Sequence, residues 1–157
     1  MNPQPGRWTA ELNGDFVVFL IGAVVHDPEV ATEASALLMA MTDMLDELEN
    51  DPTKGLLGYT RHGEPGRGVI VQYWRCFDAL ESYARDPGAR HASVWRAWNR
   101  LASDDRKGAG IWHETFLVGA GNYEAIYQNM PVTGLQRAGR ALTVTEAKES
   151  ARDRMSN

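Results

Sequence analysis

The fold is decided by residues 16–48, which read FVVFLIGAVVHDPEVATEASALLMAMTDMLDEL. Residues 16–25 form a continuous apolar run rich in β-branched side chains, which predicts a buried central strand. Gly22, inside this strand, indicates a bulge or a close backbone approach. Asp27 and Pro28 are typical of a helix start. Apolar residues then recur at helical spacing, so the stretch predicts a strand followed by an amphipathic helix that lies on a sheet.

The remainder of the chain continues this alternation of strands and helices. The predicted elements are strands at 55–61 and 69–74 joined by a turn, helices at 77–84 and 89–101, and a strand at 111–118. The resulting order, β-α-β-β-α-β, is that of a ferredoxin-like α+β domain. Because such a sheet has its helices on one face, we expect a second copy of the chain to cover the other face.

Composition and charge exclude several classes of protein. The chain has 157 residues, 43% of them hydrophobic, and a formal net charge of −5, which suits one globular domain without a basic face for nucleic acid or an anionic membrane. Cys76 is the one cysteine and has no partner for an internal disulfide, which is typical of a reducing compartment. Residues 1–14 lack the plan of a signal peptide, and no apolar run reaches the roughly 18 residues that span a bilayer. We therefore expect a cytoplasmic protein.

The composition also divides the chain into three segments. Residues 1–14 are polar and predict an N-terminal extension, and residues 15–133 carry the predicted strands and helices of the domain. Residues 134–157 are charged and poor in large apolar side chains, which predicts a mobile or partner-wrapping tail that is dispensable for folding.

Several short blocks are distinctive in combination. They are GLLGY at 55–59, VQYWR at 71–75, YARDP at 83–87, GIWHET at 110–115 and YEAIYQNMP at 123–131, together with His91 and Trp95. Over about residues 16–135 these blocks resemble a family of bacterial and fungal secondary-metabolism proteins described as monooxygenase-like. That family is a branch of the antibiotic-biosynthesis monooxygenase superfamily.

The resemblance implies a dimeric α+β barrel, that is, a homodimer of ferredoxin-like domains. It implies an enzyme of biosynthesis that hydroxylates electron-rich rings or polyketides with dioxygen and with no metal or flavin. Relatives with the same barrel bind haem instead, including haem-degrading enzymes, dye-decolourising peroxidases and aldoxime dehydratases. A fold of this kind hosts several reactions, so the reaction must be argued from the site.

His113 lies in the middle of the strand predicted at 111–118. Alternation places Ile111, His113 and Thr115 on one face of that strand. A histidine in a pocket can carry a proton near neutral pH or ligate a metal. The alternative is a core histidine bonded to a backbone carbonyl.

His91 precedes Trp95 by one helical turn. In the superfamily an aromatic residue, a proline break and a histidine often border the pocket, and Tyr83, Pro87 and His91 resemble that order. The alternative is a helix-capping or surface histidine. His91 and His113 are therefore the candidate catalytic residues, and one of them would ligate iron if haem b is bound. No two histidines have the short spacing of a metal site, so we expect no resident metal.

Aromatic residues are numerous and are expected to line a pocket for a planar, apolar substrate. The predicted substrate-binding residues are Trp74, Tyr83, Trp95, Tyr123, Tyr127 and Asn129. Asn129 belongs to this set because its amide could donate a hydrogen bond to a substrate carbonyl. The alternative is that the aromatic residues form the core and the dimer interface and that Asn129 marks a turn.

These residues are compatible with three functions. The first is a cofactor-independent monooxygenase, in which a histidine removes a substrate proton while Asn129 and a tyrosine stabilise the oxyanion. The second is a haem enzyme of the same fold, with dehydratase or oxidase-like chemistry. The third is a non-catalytic domain that binds small molecules.

Overall fold

Two antiparallel sheets organise the computed structural model, which describes residues 2–64, 66–88, 90–101, 108–145 and 148–155. The strands are β1 (Arg7–Glu11), β2 (Phe16–Val25), β3 (Leu56–Glu64), β4 (Arg67–Trp74), β5 (Ala109–Val118), β6 (Tyr127–Gln128) and β7 (Arg140–Thr143). The helices are α1 (Ala31–Asn50), α2 (Phe77–Arg85), α3 (Arg90–Leu101), α4 (Leu135–Ala138) and α5 (Ala151–Met155). Within the described ranges, no helix has both the length and the apolar composition needed to cross a membrane.

The larger sheet has the strand order β3-β4-β2-β5, and every neighbouring pair is antiparallel. Helix α1 connects β2 to β3, and helices α2 and α3 connect β4 to β5, which gives the order β-α-β-β-α-β. Strand β2 lies inside the sheet with a partner on each side, as its continuous apolar run predicts. The predicted ferredoxin-like α+β fold is confirmed.

Helices α1, α2 and α3 pack on one face of this sheet. Leu48 of α1, Leu80 of α2 and Val17 of β2 belong to one buried cluster. Trp98 and Leu101 of α3 are fully buried in a second cluster, which α1 completes. Burying one side chain of this size stabilises the fold by about 1.5–3 kcal/mol. The two clusters therefore hold the helices over the sheet and leave a space between the layers.

The opposite face of the sheet carries Trp112 and Phe116, which are 43% and 49% exposed. Trp112 pairs with Gly22 across β5 and β2. A Cβ atom on Gly22 would lie only 2.5 Å from the Trp112 indole, so the glycine makes room for the ring. The close approach that Gly22 predicts is therefore present, and an aromatic side chain rather than the backbone makes it.

Residues near both ends of the sequence form a second sheet with the order β6-β1-β7. Leu135 of α4 is buried with Ala10 and Phe16 in a third cluster, which covers one end of the face opposite the helices. The expected boundaries at residues 14 and 134 therefore do not divide the structure, since described residues on both sides of them pair and pack together. Composition missed this because strand pairing uses main-chain groups, which polar segments supply as well as apolar ones.

Candidate functional site

A cavity of about 510 Å³ lies between the helices and the larger sheet. Small-molecule sites typically have volumes of about 300–1,000 Å³. Its apolar wall comes mainly from Phe19, Ile21, Ile70, Met41, Met44, Leu45, Leu48, Phe77, Leu80 and Ala84. Its aromatic and polar residues are Gln72, Trp74, Glu81, Tyr83, Arg85, His91, Trp95, His113 and Thr115. A mostly apolar space with a few polar groups suits a hydrophobic ligand that is held at particular atoms.

Strand alternation explains which residues of the sheet reach the cavity. Phe19 pairs with Gln72 on one side and with Thr115 on the other, and Ile21 pairs with His113. Paired residues point to the same face of a sheet, and here that face meets the helices. His113 therefore enters the cavity wall, whereas Trp112 lies on the opposite face.

His91 lies in the first turn of α3, and its ring forms part of the cavity wall. The ring stacks on Trp95, with 6.1 Å between ring centroids and 14° between the planes. Nδ1 of His91 is buried without a hydrogen-bond partner among the described residues, and Nε2 is not closed off in this way. Burial lowers the pKa of His91 because the imidazolium form loses hydration. At neutral pH His91 is therefore a neutral imidazole that can accept a proton.

Tyr83 lies beside His91, with 5.9 Å between the ring centroids. The Tyr83 hydroxyl is also buried and has no hydrogen-bond partner in the described part of the chain. Burial, with a further contribution from the negative charges of Glu47 and Asp86, raises the pKa of Tyr83 to about 12. An unpartnered buried polar atom costs about 1–3 kcal/mol. Two such atoms on adjacent rings are unusual, and perturbed groups of this kind cluster at functional sites.

His113 borders the same cavity from the edge strand β5. Its side chain is exposed, and its ring centroid lies 5.5 Å from that of Phe19. The described residues offer its ring no hydrogen bond, so His113 is not the core histidine bonded to a backbone carbonyl that the sequence left open. Both candidate histidines therefore face one space.

Gln72 is a cavity residue that the sequence analysis did not single out. It lies on β4, is 8% exposed, and accepts a hydrogen bond at Oε1 from Trp74 Nε1 at 2.9 Å. The Trp74 ring lies 5.9 Å from that of Tyr83, which places the pair at the aromatic end of the cavity. The available signal was a polar residue at an inward position of the strand VIVQYW, where packing alone would favour an apolar side chain.

The structure brings together five of the predicted site residues, namely Trp74, Tyr83, His91, Trp95 and His113. It places Tyr123, Tyr127 and Asn129 outside the cavity, beside the smaller sheet. The Tyr123 hydroxyl donates to the Leu12 carbonyl at 3.0 Å, and the Tyr127 hydroxyl accepts from Leu135 N at 3.0 Å. Asn129 Oδ1 accepts from Gly6 N at 2.9 Å. In this structure these three side chains connect terminal segments of the chain to the domain.

The charged groups of the cavity wall are few. Glu81 and Arg85 form an ion pair at 2.8 Å one helical turn apart on α2. Across the described ranges, no group of three or more histidine, cysteine, aspartate or glutamate side chains is arranged to hold a metal ion. The wall therefore presents two imidazoles, one phenol and one carboxamide as its distinctive polar groups.

The model of the family described as Monooxygenase af470-like matches residues 16–135, which contain the larger sheet, its helices and the cavity between them. The chain therefore belongs to that family.

Solved structures with a similar fold include an aldoxime dehydratase, OxdRE, in complex with butyraldoxime. It has a TM-score of 0.66 and 19% sequence identity, and the match covers 92% of this chain and 43% of that chain. This chain thus spans less than half of that dehydratase. SnoaB, a cofactor-independent oxygenase from Streptomyces nogalater, has a TM-score of 0.45 and 18% identity over 65% of this chain and 91% of that chain. No curated protein matches the chain.

Proposed function

We propose that this protein is a cofactor-independent monooxygenase of secondary metabolism that oxidises an apolar or aromatic substrate in the 510 Å³ cavity. The observation that carries the proposal is His91, a neutral imidazole in the wall of a mostly apolar cavity. Membership of the monooxygenase-like family supports the same reaction class.

His91 Nε2 is the base in this proposal. In the substrate complex, the adjacent Tyr83 hydroxyl, which keeps its proton, is proposed to accept a hydrogen bond from His91 Nδ1–H, since both atoms are buried without a partner in the free protein. This contact holds the tautomer with its lone pair on Nε2, as an orienting group does in other histidine bases. The apolar wall excludes water, so a substrate anion formed here interacts strongly with any nearby donor.

The redox balance requires no resident cofactor, because the substrate supplies all four electrons that reduce dioxygen. His91 removes a proton from a ring methylene group, and the resulting carbanion passes one electron to dioxygen. Superoxide and the substrate radical then combine into a peroxide. His91 returns its proton to the distal peroxide oxygen, the O–O bond breaks, and a second substrate proton leaves with it as water. A ring methylene and one dioxygen thus become a ring carbonyl and one water.

His113 is proposed as the group that exchanges protons between this cavity and solvent. It borders the cavity and is exposed on the edge strand, which suits a residue that carries a proton outwards. This role differs from that of His91, so the two variants should have different effects on turnover.

Oxygen uptake tests the proposal directly. Purified, dialysed protein should consume dioxygen when anthrone, a tricyclic ketone with an acidic methylene, is added. His91→Gln keeps a polar side chain of similar size but cannot act as a base at neutral pH, so uptake should fall by about 100- to 10,000-fold. His26→Gln, at an exposed position away from the cavity, is the matched control. Binding of anthrone without uptake would favour a non-catalytic binding domain.

We also propose that the protein is a cytoplasmic homodimer. Support for a dimer comes from Trp112 and Phe116, which are large, exposed and on the sheet face opposite the helices. The single cysteine, Cys76, suits a reducing compartment. Light scattering at micromolar concentration should give twice the 17.4 kDa chain mass. A Trp112→Glu, Phe116→Glu double variant should give the single mass, and a wild-type monomer would refute the dimer.

A second candidate is a haem enzyme, favoured by the similarity in fold to an aldoxime dehydratase. The donor chemistry fits, because His91 is a neutral imidazole in the cavity wall and would be the residue that holds the haem iron. Haem would supply redox and Lewis-acid chemistry at its iron. Titration with haemin should then produce a shifted Soret band that His91→Ala abolishes. An unshifted band in the wild-type protein would exclude this candidate.

A further inference from the structure

The carboxamide of Gln72 has a defined orientation. The indole Nε1–H of Trp74 can only donate a hydrogen bond, so the Gln72 atom 2.9 Å away must be the carbonyl oxygen Oε1. Nε2, with its two N–H donors, therefore occupies the other end of the amide. The described residues provide no hydrogen-bond partner for Nε2, and Gln72 is part of the cavity wall.

The surroundings of Gln72 indicate that its free donor is available to a ligand. Its neighbours across the strands are Phe19 on β2 and Tyr59 on β3, and the described residues show no hydrogen bond from Gln72 to either of them. When an apolar ligand fills the cavity and displaces water, an amide donor left without a partner costs about 1–3 kcal/mol. A leucine or methionine at position 72 would avoid that cost. Position 72 thus holds a fixed donor that a cavity ligand can satisfy.

We infer that Gln72 Nε2 donates a hydrogen bond to the carbonyl oxygen of an aromatic ring ketone bound in the cavity, and that Trp74 positions the amide for this contact. The inference rests on the proposed function for its choice of ligand. It assigns to Gln72 the amide-donor role for which the sequence suggested Asn129. When a proton leaves the neighbouring methylene, the ketone becomes an enolate, and the same donor then faces a growing negative charge.

A matched pair of probes tests recognition of the carbonyl without requiring turnover. 9-Fluorenone and fluorene are planar tricyclic molecules that differ at one carbon, where fluorenone has the carbonyl. Binding of each can be measured by quenching of tryptophan fluorescence, since Trp74 and Trp95 line the cavity. The wild-type protein should bind fluorenone about three- to tenfold more tightly than fluorene, which is the usual worth of one neutral hydrogen bond.

Three variants distinguish the effect of the Gln72 Nε2 donor from that of the Trp74 hydrogen bond that orients it. Gln72→Leu removes both ends of the amide, so the two probes should bind equally. Gln72→Glu retains an acceptor for Trp74 Nε1, and at a pH where it is a carboxylate it has no donor, so it should also lose the preference. Trp74→Phe leaves the donor but frees the amide to rotate, so the preference should shrink without disappearing.

Two outcomes would overturn the inference. One is a fluorenone preference that persists in both Gln72→Leu and Gln72→Glu. The other is a wild-type protein that binds the two probes equally or binds neither of them. Failure of the proposed function is a separate result, because oxygen uptake with anthrone can be absent while the Gln72-dependent preference is present.

Discussion

Replacing His91 by leucine should stabilise the protein while removing its proposed activity. The free protein holds His91 Nδ1 buried without a partner, and such an atom costs about 1–3 kcal/mol. Leucine has a similar volume, no polar atom and an apolar cavity wall to contact. We therefore expect His91→Leu to gain about 1–3 kcal/mol in the free energy of unfolding at about pH 8. For a chain of this size that raises Tm by a few degrees.

The gain should increase as the pH falls. The folded-state pKa of His91 is lowered by burial, so the unfolded chain binds a proton more readily than the folded chain. Below the unfolded pKa of about 6.5, the wild-type protein therefore loses up to about 1.4 kcal/mol per pH unit until the folded pKa is reached. His91→Leu cannot lose stability in this way. Oxygen uptake by the wild-type protein should likewise persist to pH values below about 6.5 before it declines.

Urea unfolding followed by tryptophan fluorescence, at about pH 8 and about pH 5.5, measures this difference. His26→Leu, at an exposed position, should change the free energy of unfolding by less than about 0.5 kcal/mol at pH 8 and serves as the control. A His91→Leu protein that is less stable than wild type, or whose advantage is the same at both pH values, would refute the burial argument.

Three further predictions concern the packing of the fold and the role of Tyr83. Deleting residues from Gly134 onward should lower Tm markedly. Leu135→Ala alone should lower the free energy of unfolding in urea by about 2–5 kcal/mol, because Leu135 is buried. An unchanged Tm in the truncated protein would mean that this segment is dispensable for folding, as its composition predicts. Gly22→Ala should lower the free energy of unfolding by about 1–3 kcal/mol, because the added Cβ meets the Trp112 indole. Adding Trp112→Ala should remove most of that cost. Additive effects of the two substitutions would refute this explanation. Tyr83→Phe should raise the melting temperature, because it removes a buried hydroxyl without a partner, but it should slow oxygen uptake, and equal uptake would remove Tyr83 from the proposed mechanism.

The sequence predicts the main sheet and its helices well because their apolar patterns are strong. The run at residues 16–25 became β2, and the proline break at 86–88 separates α2 from α3 as expected. The Asp27 cap also forms, since Asp27 Oδ1 accepts from Glu29 N at 2.9 Å. Strands β1 and β7 escaped prediction because they are short and rest largely on main-chain pairing, which leaves little trace in side-chain composition.

The candidate site was predictable where helical or strand periodicity fixes direction. Spacing along α2 and α3 places Tyr83, His91 and Trp95 on one wall, and alternation places His113 on the sheet face that meets them. The prediction for Asn129 rests on its place in a sequence block, which does not indicate where its side chain points. Gln72 was overlooked for the converse reason, since its importance depends on a hydrogen bond to Trp74 that only the folded strand reveals.

The smaller sheet has a consequence for the order in which the protein assembles. Gly6 N bonds to Asn129 Oδ1 across 123 positions of the sequence, and β7 follows later still. During synthesis β1 therefore stays unpaired until β6 and β7 have left the ribosome. The larger sheet and its cavity can form before that happens. Closure of the smaller sheet is then a late folding step, and an affinity tag joined beside β1 or β7 would disturb that step before it disturbs the larger sheet.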